Sequence, residues 1–119
     1  MQPHLALAHL YLATDRPALA LGEAQQVVSK RPDADALAVR GMARFNLNQL
    51  DLAENDFHEA LKIRPDSVLA RGGLGEVQLT RGDFDGAVAS FRAVLQVDPQ
   101  NPDARKNLDR LAEQGKGED

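Results

Sequence analysis

The sequence has no cysteine and no tryptophan, and aromatic side chains make up only 4% of its 119 residues. The absence of cysteine excludes disulfides, thiolate metal sites and a cysteine nucleophile, although it does not fix the cellular compartment. With so few aromatic residues, the core must be built mainly from Ala, Leu and Val. These residues favour closely packed helices.

The sequence also has little excess of either charge. Its net charge is −4, from 14 basic and 18 acidic residues that are interspersed. No basic run indicates a nucleic-acid-binding face or a contact with an anionic membrane, so we predict neither partner. No apolar run is long enough for direct membrane insertion, and the opening MQPHLALAHLYLA lacks the basic region of a signal peptide. A cytoplasmic location is favoured over a periplasmic one from which a signal has been removed.

Residues that could support catalysis or bind a metal are few. His4 and His9 are five residues apart, a spacing that does not place two ligands on one helix face. Glu54 and His58 are four apart and could hold a metal, but such a pair on a helix is more often a solvated surface. No serine lies in a nucleophile elbow. We therefore predict a non-catalytic protein with no cofactor and no metal.

Three prolines divide the chain into repeats. Pro32, Pro65 and Pro99 lie 33 and then 34 residues apart, which is a spacing typical of helical repeats. Two positions before each proline carry only the smallest side chains, as close helix packing requires. A third position carries residues that tolerate the left-handed backbone of a tight turn. In chain order these positions hold Ala8, Gly41 and Gly75; Ala20, Ala53 and Ala87; and Asp15, Asn48 and Gly82.

Apolar residues recur at steps of three and four, which predicts helices between these marks. Pro17 suits a first helical turn, while Ser67, Asp83 and Asn101 are predicted N-caps. We predict one all-α domain over residues 1–113, with a polar-backed capping helix and a disordered tail at 114–119. The predicted repeats are about 1–33, 34–67 and 68–101, and the predicted helices are 3–14, 17–30, 35–47, 50–63, 68–81, 84–97 and 102–113.

The third repeat carries a family resemblance most clearly. It has Leu74 and Gly75, then GDFDGA at 82–87, Phe91 and LQVDP at 95–99, and the second repeat keeps Gly41, Ala53 and Phe57 at the matching positions. Over residues 1 to about 113 the chain resembles the tetratricopeptide repeat family. The resemblance implies a right-handed superhelical solenoid of antiparallel helix pairs. In that family the first helix of each pair lines a concave groove that binds peptides, helices or partner proteins without chemistry.

The resemblance also implies which residues line the groove. Several of them are apolar, so the expected occupant is a protein or peptide partner, in particular an apolar helix. The alternative is a structural role, either as a self-associating scaffold, and hence a homo-oligomer, or as a fragment of a longer repeat protein in a bacterial assembly. The implied groove residues are Leu5, His9, Leu12, Asp35, Val39, Met42, Phe45, Asn46, Gly72, Gly73, Glu76, Leu79, Lys106 and Arg110.

Three glycines cluster in the stretch ARGGLGEV at 70–77. A phosphate-binding loop would need a preceding strand and a following lysine, whereas this stretch lies in a predicted helix and is followed by Glu76. Gly75 belongs to a small-residue position. Gly72 and Gly73 have no such reason, and each costs about 1 kcal/mol relative to alanine within a helix. Two interpretations stay open: a weakness tolerated by the fold, or bare backbone that lets a ligand approach closely.

The sequence departs from the family in two respects. Some relatives bind the acidic C-terminal tail of heat-shock chaperones through a clamp of Lys, Asn and Arg, which the resemblance disfavours here because the clamp is absent. Arg40 and Arg44 stand where the family usually has Leu and Tyr, and a lone buried arginine is costly. We expect each to reach solvent or to pair with Glu59, Asp56 or Glu23. The clamp positions hold Leu5, His9, Val39, Leu69 and Gly73.

Overall fold

The computed structural model describes residues 3–114, which form seven helices and no strand. The all-α prediction is confirmed, and every helix boundary lies within one residue of its predicted position. No helix in this part of the chain is long and apolar enough to cross a membrane. The predicted disordered tail lies, from residue 115 onward, outside the described residues. The helices are α1 (Pro3–Ala13), α2 (Pro17–Lys30), α3 (Ala34–Asn46), α4 (Leu50–Ile63), α5 (Val68–Arg81), α6 (Phe84–Val97) and α7 (Pro102–Glu113).

The turn inside each repeat has a left-handed residue at the predicted position. The φ angles are 58° at Asp15, 63° at Asn48 and 83° at Gly82. In each case the next amide donates a hydrogen bond to the carbonyl five residues earlier, which satisfies a carbonyl at the helix end. These bonds, of 2.7, 2.8 and 2.8 Å, join Arg16 to Tyr11, Gln49 to Arg44 and Asp83 to Gln78.

Side-chain oxygens cap the starts of four helices. The predicted N-caps Ser67, Asp83 and Asn101 each accept a bond from a backbone amide three residues on, at 2.9 to 3.1 Å. Asp33 does the same for the Ala36 amide at 2.8 Å, and α3 therefore begins at Ala34, one residue before the predicted start. These caps set where each first helix enters the fold.

The small-residue positions lie where helices touch. A β-carbon on Gly41 would be 2.7 Å from the ring of Phe57, and one on Gly75 would be 2.8 Å from the ring of Phe91. Each phenylalanine of a second helix thus lies against the first helix of its own repeat. The alanines at the other small position, Ala20, Ala53 and Ala87, are fully buried.

Successive repeats stack in a regular order. The second helices α2, α4 and α6 each pack against the first helix of their own repeat and against the next helix along the chain, while α1, α3 and α5 lie side by side. The last helix, α7, therefore occupies the place that the first helix of a fourth repeat would take. It buries Ala104, Asn107 and Leu111 and turns charged side chains outward.

One pair of positions exchanges volume between repeats. Ala24 and Phe57 each lie eight residues before the repeat proline, and Val39 and Gly73 hold the matching position in the following first helix. Val39 shares a buried cluster with Ala24, whereas Gly73 lies directly beneath the ring of Phe57. A small residue therefore meets a larger one at both junctions.

Both unusual arginines pair with a single buried carboxylate. Asp56, whose side chain is only 3% exposed, accepts from Arg40 Nε at 3.1 Å and Nη2 at 2.7 Å, and from Arg44 Nη1 at 3.0 Å. Arg40 Nη1 also donates to Gln25 of the preceding repeat at 3.1 Å. The predicted pairing with Asp56 is confirmed. The other two candidate carboxylates have different partners: Glu23 bonds His4 and Glu59 pairs with Lys62.

Candidate functional site

The inner face of the solenoid is the surface shared by α1, α3 and α5. Its α1 end is an apolar strip, because Leu5, Leu12 and Leu69 are half-buried against the same cluster that contains Ala8 and Val39. The strip runs across all three first helices. It presents the partly exposed edges of aliphatic side chains to solvent.

A cavity of about 160 Å³ opens on this face between the second and third repeats. Met42 contributes from α3, and Leu69, Gly72 and Glu76 contribute from α5. The buried side chains of Phe91 and Val94 line it as well. Its remaining wall is the start of α7, with Asn101, Asp103 and Ala104.

The structure places the predicted groove residues in four different settings. Met42, Gly72, Gly73 and Glu76 meet at the cavity. Leu5 and Leu12 belong to the apolar strip, and His9 Nε2 lies 3.7 Å from Asp35 Oδ2 across α1 and α3. Phe45 and Leu79 are half-buried against the core, and Asn46 is exposed. Lys106 and Arg110 lie apart from the cavity, in a depression on α7 that they share with Pro102, Arg105, Asp109 and Glu113.

Two of these residues present little or no side-chain surface. Val39 is 0% exposed, so it supports the inner face from below and does not contribute contact area to it. Gly73 is buried because the ring of Phe57 fills the space of its missing β-carbon. The expectation that Gly73 has no packing reason is therefore wrong. Gly72 differs, because nothing lies within 4 Å of a β-carbon placed there.

The charged groups lining the cavity are both acidic. Glu76 Oε1 accepts a hydrogen bond of 3.2 Å from Asn107 Nδ2, which fixes the Glu76 carboxylate against α7. Asp103, in the first turn of α7, is exposed at the other side of the opening. Across residues 3–114 neither carboxylate takes part in an ion pair. The cavity is thus apolar within and negatively charged at its edge.

No metal site or shifted titration is found at the inner face in the described part of the chain. No group of three or more potential ligands is brought together there, and the Glu54 and His58 side chains lie 3.8 Å apart on α4. The only resolved pKa shifts belong to an exposed pair on α4. The hydrogen bond and charge of Lys62 lower the pKa of Glu59, and Glu59 raises that of Lys62.

The sequence interpretation missed the start of α7 as part of the cavity wall. Asp103 follows Leu69 by 34 residues, and Leu69 follows Asp35 by 34, so the three residues hold one repeat position. Extending the repeat register into the capping helix would have placed Asp103 beside the groove. Asn101 and Ala104 carried only a helix-start signal.

Solved structures share this architecture. The first tetratricopeptide domain of Spaghetti (RPAP3), bound to the HSP90 peptide SRMEEVD, matches with a TM-score of 0.82 at 18% identity, over 93% of this chain and 89% of that one. The Arabidopsis OM64 domain matches with a TM-score of 0.82 at 22% identity, over 90% and 89%. The second domain of human RPAP3, in complex with the HSP70 peptide SGPTIEEVD, matches with a TM-score of 0.77 at 19% identity, over 92% of each chain. At these identities the likeness concerns the fold.

The sequence itself carries the family assignment. A family model described as tetratricopeptide repeat matches residues 5–57 and 39–102, which together span most of the chain. These matches cover the three helix pairs and their left-handed turns. The chain therefore belongs to the tetratricopeptide repeat family.

Proposed function

We propose that this protein is a non-catalytic interaction module that binds a segment of a partner protein on its inner face. The observation that carries the proposal is the solvent-open cavity between the second and third repeats, which adjoins the apolar strip. Partly exposed apolar groups beside a formed cavity are typical of protein-binding surfaces. Met42 adds an adaptable side chain at the centre of this surface.

The peptide complexes of Spaghetti and human RPAP3 support a peptide as the occupant of this fold. Both of those peptides end in acidic residues, as their sequences SRMEEVD and SGPTIEEVD show. This chain has Leu5, Leu69 and Gly73 at positions where a basic clamp would stand. We therefore propose a partner segment other than an acidic chaperone tail.

Capture of partners from a lysate of the source cells tests the proposal. The wild type is compared with Met42→Glu plus Phe45→Glu, which places two charges on the inner face. Leu52→Glu plus Ile63→Glu is the matched control, because both leucine and isoleucine are exposed on α4. We expect a partner to bind the wild type and the control and to be lost from the inner-face variant, with circular dichroism showing all three folded. Equal capture by all three would reject the inner face as the binding surface.

A second candidate function, self-association, is favoured by the outer face of α1. Leu7 and Leu10 are 38% and 55% exposed there. The residues at the same repeat positions in α5, Leu74 and Val77, are buried in the cluster that contains Phe57 of α4. If this face binds a second copy, light scattering will show oligomers that dissociate on dilution and disappear in Leu7→Glu plus Leu10→Glu. A wild type that is monomeric at all concentrations would reject this function.

A further inference from the structure

We propose that the cavity receives one large apolar side chain of the partner, and that a lysine or arginine next to it in the partner contacts Glu76 and Asp103. This inference rests on the proposed function and specifies the chemistry of the segment bound. The partner segment is therefore basic and apolar at its anchor point. It contrasts with the acidic peptides bound by Spaghetti and human RPAP3.

The shape of the cavity supports a single apolar anchor. Its volume is about 160 Å³, and Met42, Leu69 and the bare backbone of Gly72 form its accessible wall. The space beside Gly72 is open, so a partner atom can approach the α5 backbone directly. Interfaces gain most of their binding energy where one large side chain fills such a pocket.

The charge of the cavity supports a basic neighbour. Glu76 and Asp103 are its charged lining residues, and no basic side chain lines it. The first turn of α7 brings a partial positive charge of about half a unit, which is smaller than the charge of the two carboxylates. Asn101 already satisfies the Ala104 amide, and that amide is therefore not offered to an anion. A lysine or arginine would find charge-assisted hydrogen-bond acceptors here, whereas an acidic residue would be repelled.

The carboxylate of Glu76 is held in place before binding. The Asn107 side chain, which is mostly buried in α7, donates to Glu76 Oε1. The bond fixes one carboxylate oxygen against α7. A fixed acceptor loses less entropy on binding than a mobile one.

Nuclear magnetic resonance with two probe peptides tests the inference. The probes are N-acetyl-Leu-Arg-amide and N-acetyl-Leu-Glu-amide, titrated into the isotope-labelled full chain while the Gly72 amide is followed, with Gly22 as the remote control. We expect the arginine probe to shift Gly72 and to bind about fivefold more tightly than the glutamate probe. Glu76→Gln plus Asp103→Asn should remove that preference. Glu59→Gln, an exposed charge change on α4, should keep it.

A second variant tests the anchor separately from the charges. Gly72→Leu fills the cavity from within, and we expect it to remove binding of both probes without lowering the melting temperature. Equal affinities for the two probes, or no shift at Gly72 with either, would overturn the inference. A lysate partner that is lost with Met42→Glu plus Phe45→Glu but kept by Gly72→Leu and by Glu76→Gln plus Asp103→Asn would overturn it too. That last result would leave the proposed function standing.

Discussion

The ring of Phe57 in α4 lies over the backbone of Gly73 in α5, in the space that a β-carbon at position 73 would occupy. On its other side the same ring lies against Gly41 of its own repeat. Phe57 is thus fully buried between two glycines from neighbouring first helices. The adjacent Gly72 faces open space, so two consecutive glycines have different structural reasons.

Alanine substitutions should separate these two glycines. Gly73→Ala forces the Phe57 ring to move, and overpacking of this kind costs about 1–3 kcal/mol. Gly72→Ala meets nothing and should raise the free energy of unfolding by up to about 1 kcal/mol, through helix propensity. Urea denaturation followed by circular dichroism measures both changes. Stabilisation by both substitutions would contradict the close contact with Phe57, and Phe57→Leu should relieve part of the cost of Gly73→Ala.

Loss of the buried carboxylate should be costly. Asp56→Ala leaves Arg40 and Arg44 without their shared partner in a mostly buried setting, which corresponds to about 3–5 kcal/mol of stability. The matched control is Asp51→Ala, which removes a partner of Arg81 but at a side chain that is 90% exposed. Surface pairs of that kind are worth about 0–1 kcal/mol. Similar losses of unfolding free energy for the two variants would show that Asp56 is not an organising charge of the second repeat.

The left-handed turn at Asn48 gives a backbone prediction. Asn48→Gly should leave stability nearly unchanged, because glycine adopts a φ of 63° readily. Asn48→Ala should lower the free energy of unfolding by about 1 kcal/mol, the cost of a left-handed alanine. Thermal unfolding measures both, with Asn55→Ala on the exposed face of α4 as the control. A stable Asn48→Ala variant would contradict the left-handed turn.

Local stability should vary along the solenoid. The helices α3, α4 and α5 have neighbours on both sides, while α1 and α7 lie at its two ends. In repeat proteins each unit is stabilised by its neighbours, so the ends open more readily. Amide hydrogen exchange should be slowest in the centre of α3 to α5 and faster in α1 and α7. Uniform protection over residues 3–114 would indicate that the three repeats unfold only as one unit.

The sequence predicted the helices because their boundaries depend on local chemistry. Proline cannot continue a helix, and Asp15, Asn48 and Gly82 tolerate the left-handed backbone that each turn requires. The N-caps were visible for the same reason, since a cap is defined by the few residues that follow it. The one start that differed, at α3, depends on the side chain of Asp33, which was not counted as a cap.

The inner face was harder to predict because it depends on contacts between distant residues. Nothing near Gly73 in the sequence indicates that a phenylalanine 16 residues earlier covers it. Val39 is buried because Ala24 of the preceding repeat leaves room for it. The cavity wall from α7 likewise arises only when the capping helix docks on α6. The arginine pairing with Asp56 was accessible from the sequence, since an arginine within a packed helix requires a carboxylate.

The exchange of volume at the repeat junctions makes the linear order of the repeats part of the folding information. A second copy of the middle repeat placed after itself would bring Val39 beneath the ring of Phe57, where the chain has room only for glycine. The third repeat placed directly after the first would leave Gly73 opposite Ala24, with a void between them. Duplication or shuffling of these segments is therefore restricted by geometry. Repeats that look interchangeable as sequence are, in this chain, pieces that fit in only one succession.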